Sequence, residues 1–313
     1  MTQLASATMP LLYALEPLRR GWIAGVMAGV TWLGDGVAFA LLGILLYWCW
    51  DKRLGEYLMA AGLAGVTLCH GLKNLFRVPR PWLLDEQFSI VEAARARAAG
   101  YSFPSGHSQM GVTLYGGIAL WTKRRALRAL GIALAILVPF SRMALGVHTV
   151  LDILVGAAIA LAMLFWLRPA FQTGKGLAGV YAALSALCVL GLILSLSVRT
   201  PGGSAEELYN EWESIKATCQ SLAGILALWL GREVDRRYTN WSCGGSLPVQ
   251  IVKGVLGIAL FALLRGAAHY MPQGNWSLRL IAYFIAMAFG TTLWPMSFAW
   301  LRKKIDKEAA TAT

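Results

Sequence analysis

Long apolar blocks separated by short charged ones set the pattern of this chain. Val37 to Trp50 and Leu54 to Phe76 are divided by Asp51-Lys52-Arg53. Ser105 to Thr122 and Ala126 to Phe140 are divided by Lys123, Arg124 and Arg125, and Thr149 to Leu167 closes on Arg168-Pro169. Four further blocks follow: Gly176 to Val198, Ile215 to Gly231, Val249 to Ala268 and Leu278 to Leu301. Each approaches the roughly 20 residues that a helix needs to cross a bilayer. The pattern therefore predicts an all-α, polytopic transmembrane helical bundle of nine spans. Residues 8–31 are apolar but broken by Glu16-Pro17-Leu18-Arg19-Arg20, which suits an interfacial or partly inserted helix, with a full span as the alternative. Gly34-Asp35-Gly36 reads as a turn or helix start.

The polar connections carry the rest of the information. Residues 77–106 are the long one; Pro79 and Pro81 stop the preceding helix, and Asp85 to Ala99 could form a short surface helix, either a solvated loop or a lid over a lipid gateway. Lys/Arg clusters at 52–53, 123–128, 168–175, 232–237 and 302–307 all fall on one side when the spans are counted. The positive-inside tendency makes that side cytoplasmic, so residues 77–106, 141–148, 199–213 and 269–277 face outward. Arg77, Arg80, Arg95 and Arg97 run against that tendency, which suggests an anionic ligand on the outer side.

Composition adds limits. The 313 residues are 57% hydrophobic and 14% charged, against roughly 25% charged in soluble domains. The net charge of +12 fits topology signals and contacts with membrane lipids, and no basic-aromatic polar segment suggests a nucleic-acid partner. Cys49, Cys69, Cys188, Cys219 and Cys243 have no metal-binding spacing and read as packing residues; no metal or cofactor is expected. A secretory signal peptide is not expected either, because Glu16, Arg19 and Arg20 interrupt the first apolar stretch. His70, alone in its span, reads as bonded to a neighbouring helix, and His269 as interfacial. Lys253, Arg265, Arg279 and the run Arg232 to Arg237 suit snorkelling and topology, with headgroup binding, dimer contacts or a lipid route as alternatives. Trp229, Trp241, Trp276, Trp294 and Trp300 suit interface belts.

Three outward segments carry candidate chemistry. His148 and Asp152 are four residues apart and share one helix face, where a carboxylate can hold one imidazole nitrogen and leave the other free. Arg142 adds a cationic fork suited to phosphate. Pro104-Ser105-Gly106-His107 opens a helix, whose N-terminal N–H groups and dipole attract anions; Ser105 can cap that helix and Gly106 admits a close approach. Lys73 and Arg80 supply two further positive points around prolines.

Lys73 to Pro81, Pro104 to His107 and Ser141 to Asp152 together resemble the three signatures of the type 2 phosphatidic acid phosphatase family: Lys-x6-Arg-Pro, Pro-Ser-Gly-His and Ser-Arg-x5-His-x3-Asp. The same signatures are similar to those of vanadium haloperoxidases and glucose-6-phosphatase. The resemblance implies a phosphatase core at 34–170, a preceding segment at 1–33, and extra transmembrane helices at 171–313. It implies that His148 attacks phosphorus to form a phosphohistidine, that Asp152 orients it, and that His107 protonates the leaving group and then activates water. Lys73, Arg80, Ser105, Gly106 and Arg142 then hold the phosphoryl oxygens, with no metal and no cofactor. The expected activity is removal of phosphate from a lipid phosphate or pyrophosphate, such as undecaprenyl pyrophosphate, phosphatidic acid or phosphatidylglycerophosphate. The expected setting is the outer, periplasmic face of the cytoplasmic (inner) membrane. A lipid phosphotransferase and a lipid transporter or flippase are the alternatives, and the sequence leaves oligomeric state open.

Overall fold

The computed structural model describes residues 1–85, 87–95, 98, 100–198, 202–270 and 275–298. Arg97, Trp300 and the basic tail at 302–307 lie outside the described residues. Among those described, the regular structure is helical throughout. Ten helices carry the fold: α1 (Gly21–Trp32), α2 (Gly36–Cys49), α3 (Lys52–Phe76), α4 (106–121), α5 (Arg125–Ala144), α6 (Val150–Thr173), α7 (Leu177–Ser197), α8 (Ala205–Val234), α9 (Leu247–His269) and α10 (Trp276–Phe298). Short helices at Thr2–Ala7, Met9–Ala14, Glu16–Arg19, Pro81–Leu84 and Glu92–Arg95 fill the connections.

Local capping explains where the helices begin. Asp35 accepts from the Val37 N–H to start α2, and Asp51 accepts from Arg53 and Leu54 to start α3. Thr149 with Asp152, and Ser204 with Glu207, form reciprocal capping boxes on α6 and α8. Gly174, at φ 74°, ends α6 in the left-handed conformation that glycine adopts at little cost.

Five helices are long and apolar enough to cross a bilayer among the described residues: α5, α6, α7, α9 and α10. The bent pair α1–α2, with a 50° angle at its break, makes a sixth if it counts as one span. Three of the nine blocks in the sequence fall short of this measure: α4, at 106–121, is too short, and α3 and α8 are too polar. α3 and α8 are the longest helices, with 25 and 30 residues, yet they carry polar groups such as Glu56, Lys73, Asn74, Asn210 and Glu211 on buried faces. α3 packs against α2, α4, α6, α7 and α8, and α8 packs against α3, α7 and α10. Their polar side chains therefore find partners in protein, while the apolar helices turn exposed leucines, isoleucines and valines outward. This is an integral membrane protein whose two central helices are hidden inside it.

One continuous core runs from Phe39 and Trp48 through Tyr57, Leu164 and Tyr181 to Leu228 and Phe261, so α7, α8 and α9 pack with the preceding helices. At the end of the bundle away from residues 77–106, Arg232 meets the buried Glu56 carboxylate at 3.2 Å and Lys52 meets Asp235 at 2.7 Å. The run from Arg232 to Arg237 thus supplies ties between α8 and α3 as well as charge. Lys253 and Arg279 do not snorkel: both are buried, with Lys253 donating to the Gly244 carbonyl at 2.8 Å and Arg279 to the His269 carbonyl at 3.3 Å.

Candidate active site

Four helix ends converge at one end of the bundle: the C-termini of α3 and α5 and the N-termini of α4 and α6. The sequence dictates each stop. Arg77 breaks α3 at φ 46° just before two prolines, and cis Phe103-Pro104 leads into the Ser105 cap of α4. The capping box of Thr149 and Asp152 starts α6 directly after His148. α4 and α6 approach so closely that a Cβ on Gly156 would lie 2.5 Å from the Ser105 carbonyl oxygen. Only glycine fits there.

Asp152 is the hub. It is fully buried, and its Oδ2 accepts from Ser102 Oγ at 2.5 Å and the Thr149 N–H at 2.8 Å, and it lies 3.3 Å from His148 Nδ1. Its carbonyl also accepts from the Ser105 N–H at 2.9 Å, which joins the second and third signatures through the backbone. With Nδ1–H held by the carboxylate, the lone pair of His148 sits on Nε2. Arg80 Nη1 donates to that Nε2 at 2.9 Å and to the Val147 carbonyl at 3.0 Å, and Arg80 Nε donates to the Gly100 carbonyl at 2.9 Å.

Burial first, then the charges of Arg80, Arg142 and Lys73, hold the His148 pKa well below its ordinary 6.5, so this imidazole is neutral at pH 7. Burial brings Arg80 down to about 10, which leaves it cationic at neutral pH. Lys73, Arg80 and Arg142 are 5%, 4% and 0% exposed. Lys73 donates to the Tyr101 carbonyl and Arg142 donates to Thr31 Oγ1 at 2.8 Å. Three buried cations acting on one imidazole beside one carboxylate make a strongly positive hollow, the complement of a phosphate group.

The other expected residues are placed as follows. Ser105 is spent as a helix cap, accepting from the Ser108 N–H at 3.3 Å and Ser108 Oγ at 2.9 Å; its own proton remains to donate. A Cβ on Gly106 would meet nothing within 4 Å, so the backbone there borders open space. His107 lies near enough for the charges of Arg142, His148, Arg80 and Lys73 all to act on it. Its Nε2 is 3.8 Å from Asp35 Oδ2. Of Arg77, Arg80 and Arg95, Arg80 reaches His148, while Arg77 pairs with Glu211 at 3.8 Å and Arg95 with Glu92 at 3.6 Å. His70 bonds Ser214 Oγ on α8 at 3.1 Å, as its lone position suggested. Among the described residues no three His, Cys, Asp or Glu side chains gather as metal ligands.

Sequence reasoning missed Ser102, Asp35, Thr31 and the carbonyls of Gly100 and Tyr101. Ser102 sits only three residues before Ser105, but nothing in its local pattern marks it as a partner of Asp152. Asp35 was visible as a helix start and is one, yet its second oxygen faces His107, 72 positions further along the chain. The loop at 85–95 is also less solvated than its charges suggest: Phe88 and Ala94 are buried, and the Val91 N–H donates to the Leu145 carbonyl beside the site at 3.2 Å.

Residues 53–175 match the PAP2 superfamily, and residues 219–307 match the PAP2 superfamily phosphatase, transmembrane extension. Phosphatidylglycerophosphatase B of Bacillus subtilis (strain 168) is 27% identical over 180 residues, covering 52% of this chain and 82% of that protein. No solved structure matches the chain.

Proposed function

The chain belongs to the PAP2 superfamily, and on that premise we propose that it removes phosphate from a lipid phosphate or pyrophosphate through a phosphohistidine. The observation that carries the proposal is the placement of His148, with Nδ1 3.3 Å from Asp152 and Nε2 turned to a cationic hollow. That is the arrangement of an activated nucleophile with its orienting group. Phosphatidylglycerophosphate, phosphatidic acid and undecaprenyl pyrophosphate are the substrates proposed. The relative's name favours the first, and a phosphate site at helix ends of a membrane bundle favours any lipid-borne phosphate.

In the first step the Nε2 lone pair forms an N–P bond as the P–O bond to the lipid breaks. His107 delivers a proton to the departing oxygen. Arg80 moves its Nη1–H from Nε2 to a phosphoryl oxygen, joined by Lys73, Arg142, the Ser105 hydroxyl and the Gly106 N–H. In the second step water attacks phosphorus, His107 takes a proton from it, and the N–P bond breaks to release phosphate. Asp152 holds the Nδ1 proton throughout and stabilises the positive charge that the ring gains. The core is proposed to lie at 34–170 and the site to open to the periplasmic side, since the Lys/Arg clusters at 52–53, 123–128, 168–175 and 232–237 occupy the opposite helix ends.

The test is a panel of these three lipids with purified protein and chromatographic readout. Wild type should release inorganic phosphate from at least one, and His148→Ala from none. Full release by His148→Ala would overturn the mechanism. Phosphoryl appearing on an acceptor lipid in place of free phosphate would identify a phosphotransferase.

A further inference from the structure

Near the helix ends that carry Asp35 and His107, between α2, α3, α8, α9 and α10, lies a narrow cavity of about 100 Å³, part of it open to the outside. Its outer end is lined by Gly36 and Met110. Gly36 follows Asp35, and Met110 lies one helical turn beyond His107, so the cavity begins directly below the acid–base group. It reaches inward to Met59, fourteen residues before Lys73 on α3, or roughly 21 Å along the helix axis. The hydrocarbon core of one leaflet is about 15 Å deep, so the cavity descends to chain depth.

Its wall changes character along that path. Arg265 lies four residues from the end of α9, and Tyr283 seven residues into α10, both toward the catalytic end of the bundle. Deeper, Met59 and Met287 present thioether chains, the side chains that adapt to a flexible apolar partner. Tyr283 is 3% exposed and lines the cavity, yet among the described residues its hydroxyl has no hydrogen-bond partner. A buried phenol that lines a cavity without a partner points to an oxygen supplied from outside the chain.

We propose that this cavity receives a segment of the aliphatic chain of the lipid whose phosphate sits at His148, with the Tyr283 hydroxyl donating to a lipid oxygen near the headgroup. The inference rests on the lipid-phosphatase reading and deepens it. The C-terminal helices supply half of the residues that line the chamber, and this gives the extension a role in choosing lipids by chain. An isoprenyl and an acyl chain share the chemistry that the wall recognises.

Two measurements on the full-length protein in lipid nanodiscs test it. The first uses phosphatidic acid and an isoprenyl phosphate, each with a chain-borne diazirine, and maps crosslinked peptides in wild type and His148→Ala. Labelling of residues 59–66 or 276–298, competed by unlabelled dioleoyl phosphatidic acid and lost in Met287→Trp, supports the site; whichever probe labels names the chain. Labelling only elsewhere overturns it. The second compares dioleoyl with dibutyryl phosphatidic acid. Met287→Trp should raise KM for the long-chain lipid about fivefold or more by filling the chamber, and leave the short-chain lipid unchanged. Equal effects on both, or none, overturn the proposal. Wild type that releases no phosphate yet labels the wall sinks the phosphatase reading alone. Phosphate release without wall labelling sinks the chain site alone.

Discussion

Asp152→Asn separates the two duties of the hub, and the structure sets their sizes. Oδ2 serves Ser102 Oγ at 2.5 Å, the Thr149 N–H at 2.8 Å and His148 Nδ1 at 3.3 Å, while Oδ1 is buried without a hydrogen-bond partner among the described residues. An asparagine that keeps its oxygen in the Oδ2 position preserves all three contacts and the α6 cap. Its amide then takes the Oδ1 position as a buried donor with nothing to receive it, which costs about 1–3 kcal/mol. The fold should therefore survive with a lowered melting temperature. Catalysis loses more. The neutral amide no longer stabilises the charge that His148 gains on attack, and removal of the corresponding carboxylate from a serine-protease triad lowers kcat by about 10⁴. At about 1.36 kcal/mol per decade that is roughly 5 kcal/mol, several times the net value of one neutral hydrogen bond. The assay is phosphate release under saturating lipid, run beside thermal unfolding of the same preparation. A folded variant that keeps more than about a tenth of wild-type kcat refutes the role given to Asp152.

Three other outcomes follow from the same geometry. Because burial and the neighbouring cations hold His148 well below 6.5, the acid limb of kcat/KM, corrected for titration of the substrate phosphate, should fall below pH 6.5; a limb at or above 6.5 contradicts the assignment. The sign for stability is the same: as pH drops below 6.5 the unfolded chain binds a proton that the native site refuses, so His148 makes folding less favourable until the native pKa is reached. Gly156→Ala places a methyl group 2.5 Å from the Ser105 carbonyl, and should destabilise by about 1–3 kcal/mol while lowering kcat, read by thermal unfolding and turnover together. Asp35→Asn keeps the α2 cap but removes the charge 3.8 Å from His107. It should slow hydrolysis of alkyl phosphates about ten- to a hundredfold and that of an aryl phosphate far less, since only the poor leaving group needs the proton; equal losses on both would exclude this role.

The order of spans and motifs was legible because both are local. Hydropathy marks a membrane helix within its own residues, and alternation of spans brings Lys73, Arg80, His107, Arg142, His148 and Asp152 to one end without knowledge of any contact. The His148–Asp152 pair was legible for the same reason, since four residues make one helical turn. What the chain could not display were partners chosen by packing. Ser102 reaches Asp152 across 50 residues and Arg232 reaches Glu56 across 176. Neither has a period or spacing that marks it. Hydropathy likewise grouped α3 and α8 with lipid-facing spans, although a residue's surroundings, not its own polarity, decide whether Glu56 can be buried. Only tertiary packing set Arg80 on His148 Nε2 rather than Arg77, turned Asp35 to His107, and left a cavity between the core and its extension. Each depends on the angles at which helices cross, and those are fixed by side chains meeting from distant parts of the chain.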